Sequence, residues 1–403
     1  MSKNLSSVQI FLSLYLLSSF GLAQEIDWPY DDYYTEDKLY IHAIVNYDIH
    51  PMWHDHWENN LFRQNMLRMS FGSISLTELF SDVSLAMNQE VTKGIWFRYA
   101  TAYYATHHRN EQDKHLSTGF EKYIFKSFSL FAYGNPHFEK EEIDIHYGIS
   151  LTNKDRTSYF RVAYIDVDTF WDDKNNINSV NLTRPWRLGW ETNVRFKSFR
   201  FFSSGRYENG IERIFERAPA SFDFDYQRKK INDMIFKLYY YRTPKSFLEI
   251  SYSCYQYDEA KRFHHLFYDY EYQNRIESYK IGYVTPIGER YRLRFGSFAL
   301  LQNAAAAHYR EHDYSRHEII PYIFGEMYAG PGIVEAGYMV SKYAWDYSAP
   351  APIPGGTRDD YIDKVKIAYT LNLANRAYLQ FALSHVTAIW GFGGGNVQFW
   401  IQF

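Results

Sequence analysis

The chain closes with Val397-Gln398-Phe399-Trp400-Ile401-Gln402-Phe403, and the reading of this stretch decides the fold. Val397, Phe399, Ile401 and Phe403 alternate with Gln398, Trp400 and Gln402. Successive side chains of a strand point to opposite faces, so the stretch predicts a strand with an apolar row on one side and a wettable row on the other. Such a strand belongs either to a soluble sandwich or to a membrane wall. Repetition, segment length and the kind of connection separate the two.

Toward the N-terminus the pattern repeats. Val365, Ile367, Tyr369 and Leu371 alternate with Lys364, Lys366, Ala368 and Thr370, while Val334, Ala336, Tyr338 and Val340 hold one face of another segment. Leu248, Ile250, Tyr252 and Cys254 alternate with Glu249, Ser251 and Ser253. In 187–197, Leu188, Trp190, Thr192, Val194 and Phe196 face away from Arg187, Glu191, Asn193, Arg195 and Lys197. Segments of roughly ten residues suit a tilted strand crossing a bilayer.

The connections sort into two kinds. Thr243-Pro244-Lys245, Thr285-Pro286-Ile287-Gly288 and Ala329-Gly330-Pro331-Gly332 carry tight-turn residues. Polar stretches at 166–185, 207–231, 258–271 and 345–360 read as long loops, and Gly393-Gly394-Gly395 as a flexible loop before the last strand. A membrane barrel predicts this sorting, with tight turns in the periplasm and long loops outside. Turns near Lys93, Lys122, Asn153, Ser198, Pro244, Pro286, Gly330 and Ala374, with an opening strand near 64–71 and the final one, are the basis of the count. The expectation is an all-β, antiparallel, up-and-down transmembrane barrel over 61–403, with about 18 strands and a range of about 16 to 20.

The last strand resembles the carboxy-terminal signal of bacterial outer-membrane proteins, in which alternating apolar residues end in an aromatic that the assembly machinery reads. Val397, Phe399, Ile401 and Phe403 carry this resemblance, which covers that strand and implies a broad class. It implies residence in the bacterial outer membrane, with outer-membrane lipid and the barrel assembly machinery as partners. The other end of the chain agrees. Lys3, the apolar stretch 10–22 and the small residues Gly21 and Ala23 predict a secretory signal peptide over 1–23. Its apolar core falls short of the roughly 20 residues of a spanning helix.

Composition narrows the class further. Aromatic residues make up 20% of the 403, with 38 Tyr and 31 Phe, yet mean hydropathy is negative. That combination is unusual in a soluble enzyme and expected where alternate residues face lipid and the interfaces select aromatic girdles. Cys254 is the single cysteine, which excludes a disulfide framework and a thiolate metal cluster. A net charge of −4 implies no nucleic-acid partner.

Residues 24–60 differ from the rest. Glu25, Asp27, Asp31, Asp32, Glu36 and Asp37 stand against Lys38, and a His/Trp-rich stretch follows. They read as a periplasmic lead-in, with a strand at 39–49 or a plug in the barrel mouth as alternatives. His50, His54, Asp55 and His56 make the best metal-like set, since imidazoles with a carboxylate suit Zn²⁺ or Cu²⁺. His107-His108, His264-His265 and His308 with His312 fall in expected external loops.

With apolar faces outward, the inward set includes Arg161, Arg187, Arg195, Arg200, Arg206, Lys237, Lys280, Arg292, Arg294, Lys364, Lys366 and Arg376. Fewer carboxylates share it, chiefly Glu191, Glu249, Glu277 and Glu335. A lumen so charged favours anions, so the expected function is a channel or exporter for anionic solutes or an acidic polysaccharide. The alternative is a non-conducting barrel that binds surface partners through its loops. A barrel hydrolase ranks lower, because no nucleophile elbow, zinc helix or phosphate-cradling loop is present. No cofactor is expected.

Overall fold

The computed structural model describes residues 65–403, apart from 74–78, 107–111, 136–142, 154–157, 171–178, 216–223, 244, 264–268, 308–312, 349–355, 375–376 and 388–390. The signal segment, the lead-in, the His50, His54, Asp55 and His56 set, the loop histidines and Arg376 therefore lie outside the described residues.

Period-two alternation becomes twenty antiparallel strand segments. They are β1 (Met66–Ser73), β2 (Leu79–Thr92), β3 (Ile95–Thr106), β4 (Gln112–Phe125), β5 (Phe128–Asn135), β6 (Asp144–Thr152) and β7 (Tyr159–Asp166). Next come β8 (Ser179–Thr183), β9 (Trp186–Phe196), β10 (Phe199–Glu208), β11 (Ile211–Phe215), β12 (Phe224–Thr243) and β13 (Ser246–Phe263). The wall ends with β14 (Asp269–Ile287), β15 (Tyr291–Ala307), β16 (Asp313–Ala329), β17 (Gly332–Ser348), β18 (Gly356–Ala374), β19 (Ala377–Val386) and β20 (Gly391–Gln402).

Two pairs of these segments are single strands with a break. β9 pairs with β7 and β10, β10 pairs on to β12, and the short β8 and β11 pair with each other above them. Pro185, with no N–H to give, separates β8 from β9, and Asn209-Gly210 separates β10 from β11, with Gly210 at φ 97°. The two breaks are tied together: Asn209 N–H donates to Trp186 O at 3.1 Å and Trp186 N–H donates to Asn209 Oδ1 at 2.7 Å. Counting each broken strand once, the wall has 18 strands.

The wall closes through β1 and β20, which pair from Met66 with Gln402 to Ser73 with Gly395. Phe403 N–H donates to Asn65 O at 2.9 Å at the foot of this seam. Val397 and Phe403 point outward and are exposed, whereas Gln398 is buried on the inner face.

Two expected turns move. β4 runs past Lys122 to Phe125, and β14 runs through Pro286 to Ile287 before Gly288 turns the chain at φ 66°. The triglycine lies within β20, where a register shift at Ser384/His385 and Gly394 at φ 110° mark a bulge. Much of the expected loops at 207–231, 258–271 and 345–360 is strand as well. The strands β12–β18 have 17–20 residues, whereas β5–β7, β9 and β10 have 8–11.

Candidate functional site: the charged inner wall

Cross-strand partners share a face, so register and exposure together separate the two surfaces of the wall. Outward side chains form an apolar belt that includes Leu130, Ile149, Leu188, Ile281, Ile319, Ile367 and Leu383, all exposed. Aromatic rings flank the belt. Tyr164, Trp186 and Tyr207 adjoin at 6.1 Å between successive centroids on the loop side, and Phe199 meets Tyr240 at 5.1 Å on the turn side. A closed sheet satisfies every backbone group internally, and an apolar belt between aromatic girdles is the surface that hydrocarbon requires. The chain is an outer-membrane β-barrel.

The inner face of this outer-membrane barrel holds Arg161, Arg187, Arg195, Arg200, Arg206, Lys237, Lys280, Arg292, Arg294, Lys364 and Lys366. Most meet carboxylates. Arg187 binds Asp144 at 2.8 Å and Glu208 at 2.5 Å, Arg206 binds Asp233 at 2.7 Å, and Lys280 binds Glu249 at 3.0 Å. Arg292 Nε donates to Glu326 at 2.7 Å. Arg200 donates to Asn193 at 3.0 Å and stacks over Tyr239, and Arg195 lies over Tyr241.

At two places one carboxylate is shared by two cations. On the short side of the wall, Arg98 and Arg161 both bind Glu121, Arg161 at 2.8 Å. Ser129 also donates to Glu121, whose side chain is fully buried, and the Arg161 guanidinium lies 5.2 Å from the Phe131 ring centre. On the tall side, Arg294 binds Glu335 at 3.0 Å and Lys366 binds it at 3.4 Å. Both cations also face the Phe324 ring, at 4.8 and 5.9 Å. That ring occupies the space where a Cβ on Gly337 would stand. Phe131 covers Gly148 in the same way. In each case a glycine lets an aromatic ring lie flat on the wall as a support for a cation.

The sequence reading missed several of these residues. Glu121 escaped because the turn was expected at Lys122, and Glu208 fell in an expected loop. Asp144, Asp233, Glu318 and Glu326 lay outside the segments whose alternation was followed. Arg68, Arg98 and Arg316 belong to the inner face too. Glu277 is a correction of the opposite kind. It pairs in register with Cys254 and Leu301 on the outer face, where Tyr252 Oη donates to it and Arg275 binds it, both at 2.8 Å. Its place near the loop-side border of the belt lets a carboxylate face outward. Among the described residues no group of His, Cys, Asp and Glu could hold a metal ion.

No protein-family model matches the chain, and no curated protein matches it. Solved structures similar to it include a bacterial polysaccharide outer membrane secretin, at TM-score 0.43 and 9% identity over 85% of this chain and 100% of the other. A loop-deletion mutant of OmpT from Vibrio cholerae aligns at TM-score 0.40 and 9% identity, over 84% and 97%. OccK2 of Pseudomonas aeruginosa, solved with glucuronate, aligns at TM-score 0.39 and 8% identity, over 84% and 98%.

Proposed function

We propose that the barrel is an outer-membrane channel that favours anionic solutes, acidic saccharides among them. Barrels of about 16–18 strands are wide enough to leave an aqueous interior, so transport is the activity that this wall suits. The observation that carries the anion preference is the pairing ratio at Glu335, where Arg294 and Lys366 share one carboxylate. Glu191, in register with Arg161 on the same face, offsets the second cation at Glu121, whereas around Glu335 the cations outnumber the carboxylate they share. In a low-dielectric wall such charge raises the local concentration of anions and lowers their barrier to passage.

The pairs at Arg206, Lys280 and Arg292 are balanced, and Arg187 meets two carboxylates. The preference is therefore weaker than a count of basic residues suggests. Single-channel recording in planar bilayers across a KCl gradient tests the reading. The expected result is chloride preference, reduced by about half when Arg294 and Lys366 are both replaced by Gln. Cation preference would overturn the anion reading, and the absence of any conductance would favour a non-conducting barrel.

A further inference from the structure

The outer face changes chemistry along β13–β17. On the turn side it shows Ile250 and Tyr252, Tyr279 and Ile281, Leu301, Ile319 and Val340. Farther from the turns, the same face carries one row in register across five strands. Gln256 lies opposite Arg275, Arg275 opposite Asn303, Asn303 opposite Ser315, and Ser315 opposite Asp346. Strands spaced about 4.8 Å apart make this row roughly 20 Å long.

The row begins where the lipid face ends. β15 needs about eleven residues to cross the apolar layer, which brings it from Tyr291 to Leu301 and leaves Asn303 beyond it. With Asp258 and Gln273 the row lines an outward groove of about 520 Å³. Gln256 Nε2 donates to Asp258 Oδ2 at 3.0 Å, while Asp258 Oδ1 is buried with no hydrogen-bond partner among the described residues. Arg275 is engaged by Glu277 at 2.8 Å. The groove thus offers amides, a hydroxyl and two carboxylates, with its guanidinium already neutralised.

We propose that this groove binds the sugar headgroup of an outer-leaflet glycolipid. A surface just beyond the belt and facing away from the lumen lies against the headgroup layer. Asp258 and Asp346 repel phosphate, whereas a polyhydroxylated ring supplies donors to Asp258 Oδ1 and to the side-chain carbonyls of Gln256, Gln273 and Asn303. Amides in register along a flat sheet can meet successive hydroxyls of an extended oligosaccharide. The groove and the lumen lie on opposite faces of the wall, so this inference does not rest on the channel reading.

The test is native mass spectrometry of the detergent-solubilised full chain, titrated with two glycolipids that share an acylated diglucosamine. One carries a core oligosaccharide and the other lacks it. The expected result is retention of the core-bearing lipid about tenfold above the other, with the preference abolished in a Gln256→Leu, Asn303→Leu double variant. Thermal unfolding of the variant, followed by circular dichroism, is expected to be unchanged. Free core oligosaccharide should also strip the lipid from the wild-type protein, which tests the site without any substitution. Equal retention of the two lipids, failure of the free sugar to compete, or an undiminished preference in a folded double variant would each overturn the proposal. A doubled protein mass at the expense of bound lipid would assign the face to a second copy and overturn it too.

Discussion

The short wall, β3–β7 with β9 and β10, and the tall wall, β12–β18, solve different problems with the same pleat. A tilted strand needs about 9–11 residues to cross the membrane, and the short wall's strands, of 8–14 residues, have little more than that. Its polar side chains must face inward and find partners there, which is how Glu121 comes to be buried between Arg98 and Arg161. The tall wall overhangs the membrane by about six or more residues per strand, and water reaches both faces of the overhang. Its ion pairs near the turns are more open, with 40% of the Arg292 side chain and 38% of Arg294 exposed, whereas Arg316 and Glu318 toward the loops are buried. Charge around Glu121 is therefore part of the packing, and charge around Arg292 is closer to a coating.

The sharpest way to break this contrast is to remove one carboxylate from each wall. Glu121→Ala strands two buried guanidiniums and should cost about 3–5 kcal/mol. Glu326→Ala, opposite the more exposed Arg292, should cost about 1 kcal/mol or less. Urea unfolding in micelles, followed by tryptophan fluorescence, measures both. Equal losses would mean that the walls do not differ in kind.

Next in size are the glycines under aromatic rings. Gly337→Val must push Phe324 off the wall and should cost about 1–3 kcal/mol. Gly148→Val beneath Phe131 should cost at least as much, because it also disturbs the support of Arg161. The same titration ranks them, and a harmless Gly148→Val would show that the short wall has slack. At the top of that wall, Asn209→Ala leaves Trp186 N–H without its side-chain acceptor and should cost about 1 kcal/mol. Faster amide exchange at 183–187 would report the loosened break. The smallest effect is expected in the overhang. Deleting 261–270 and joining Ala260 to Glu271 through Asn-Gly should change unfolding by less than about 1 kcal/mol, because no apolar belt is lost. A much larger loss would make the overhang structural.

The same contrast explains what was legible in the sequence. Alternation exists where lipid lies on one side and water on the other, so the crossing parts of β9, β13, β17, β18 and β20 could be read directly, while the tight turns carried the count of 18 strands. Beyond the membrane both faces are wet and selection for alternation ceases, so the upper parts of β12, β13, β14 and β18 looked like loops. The inner site was half legible. Arg and Lys stood out on the followed strands, but whether a lumen is basic depends on register. Register is what brings Arg161 and Arg98 onto Glu121, and it is not written in any one strand. Glu277 shows the related limit: near the border of the belt a carboxylate can face outward, and polarity no longer tells inside from outside.

The seam between β1 and β20 bears on the order of events during folding. Every other joint in the wall links strands that are near neighbours in the chain, whereas Arg68 finds Trp400 across on the order of 330 positions. Loop-closure entropy is highest there, so hairpins can zip along the whole sheet while β1 and β20 still wait for each other. During that interval two strand edges present unpaired amides and carbonyls to a solvent that cannot satisfy them. The barrel is thus most vulnerable late, when nearly all of its contacts are already made, and a helper that shields those two edges would act at the slowest step.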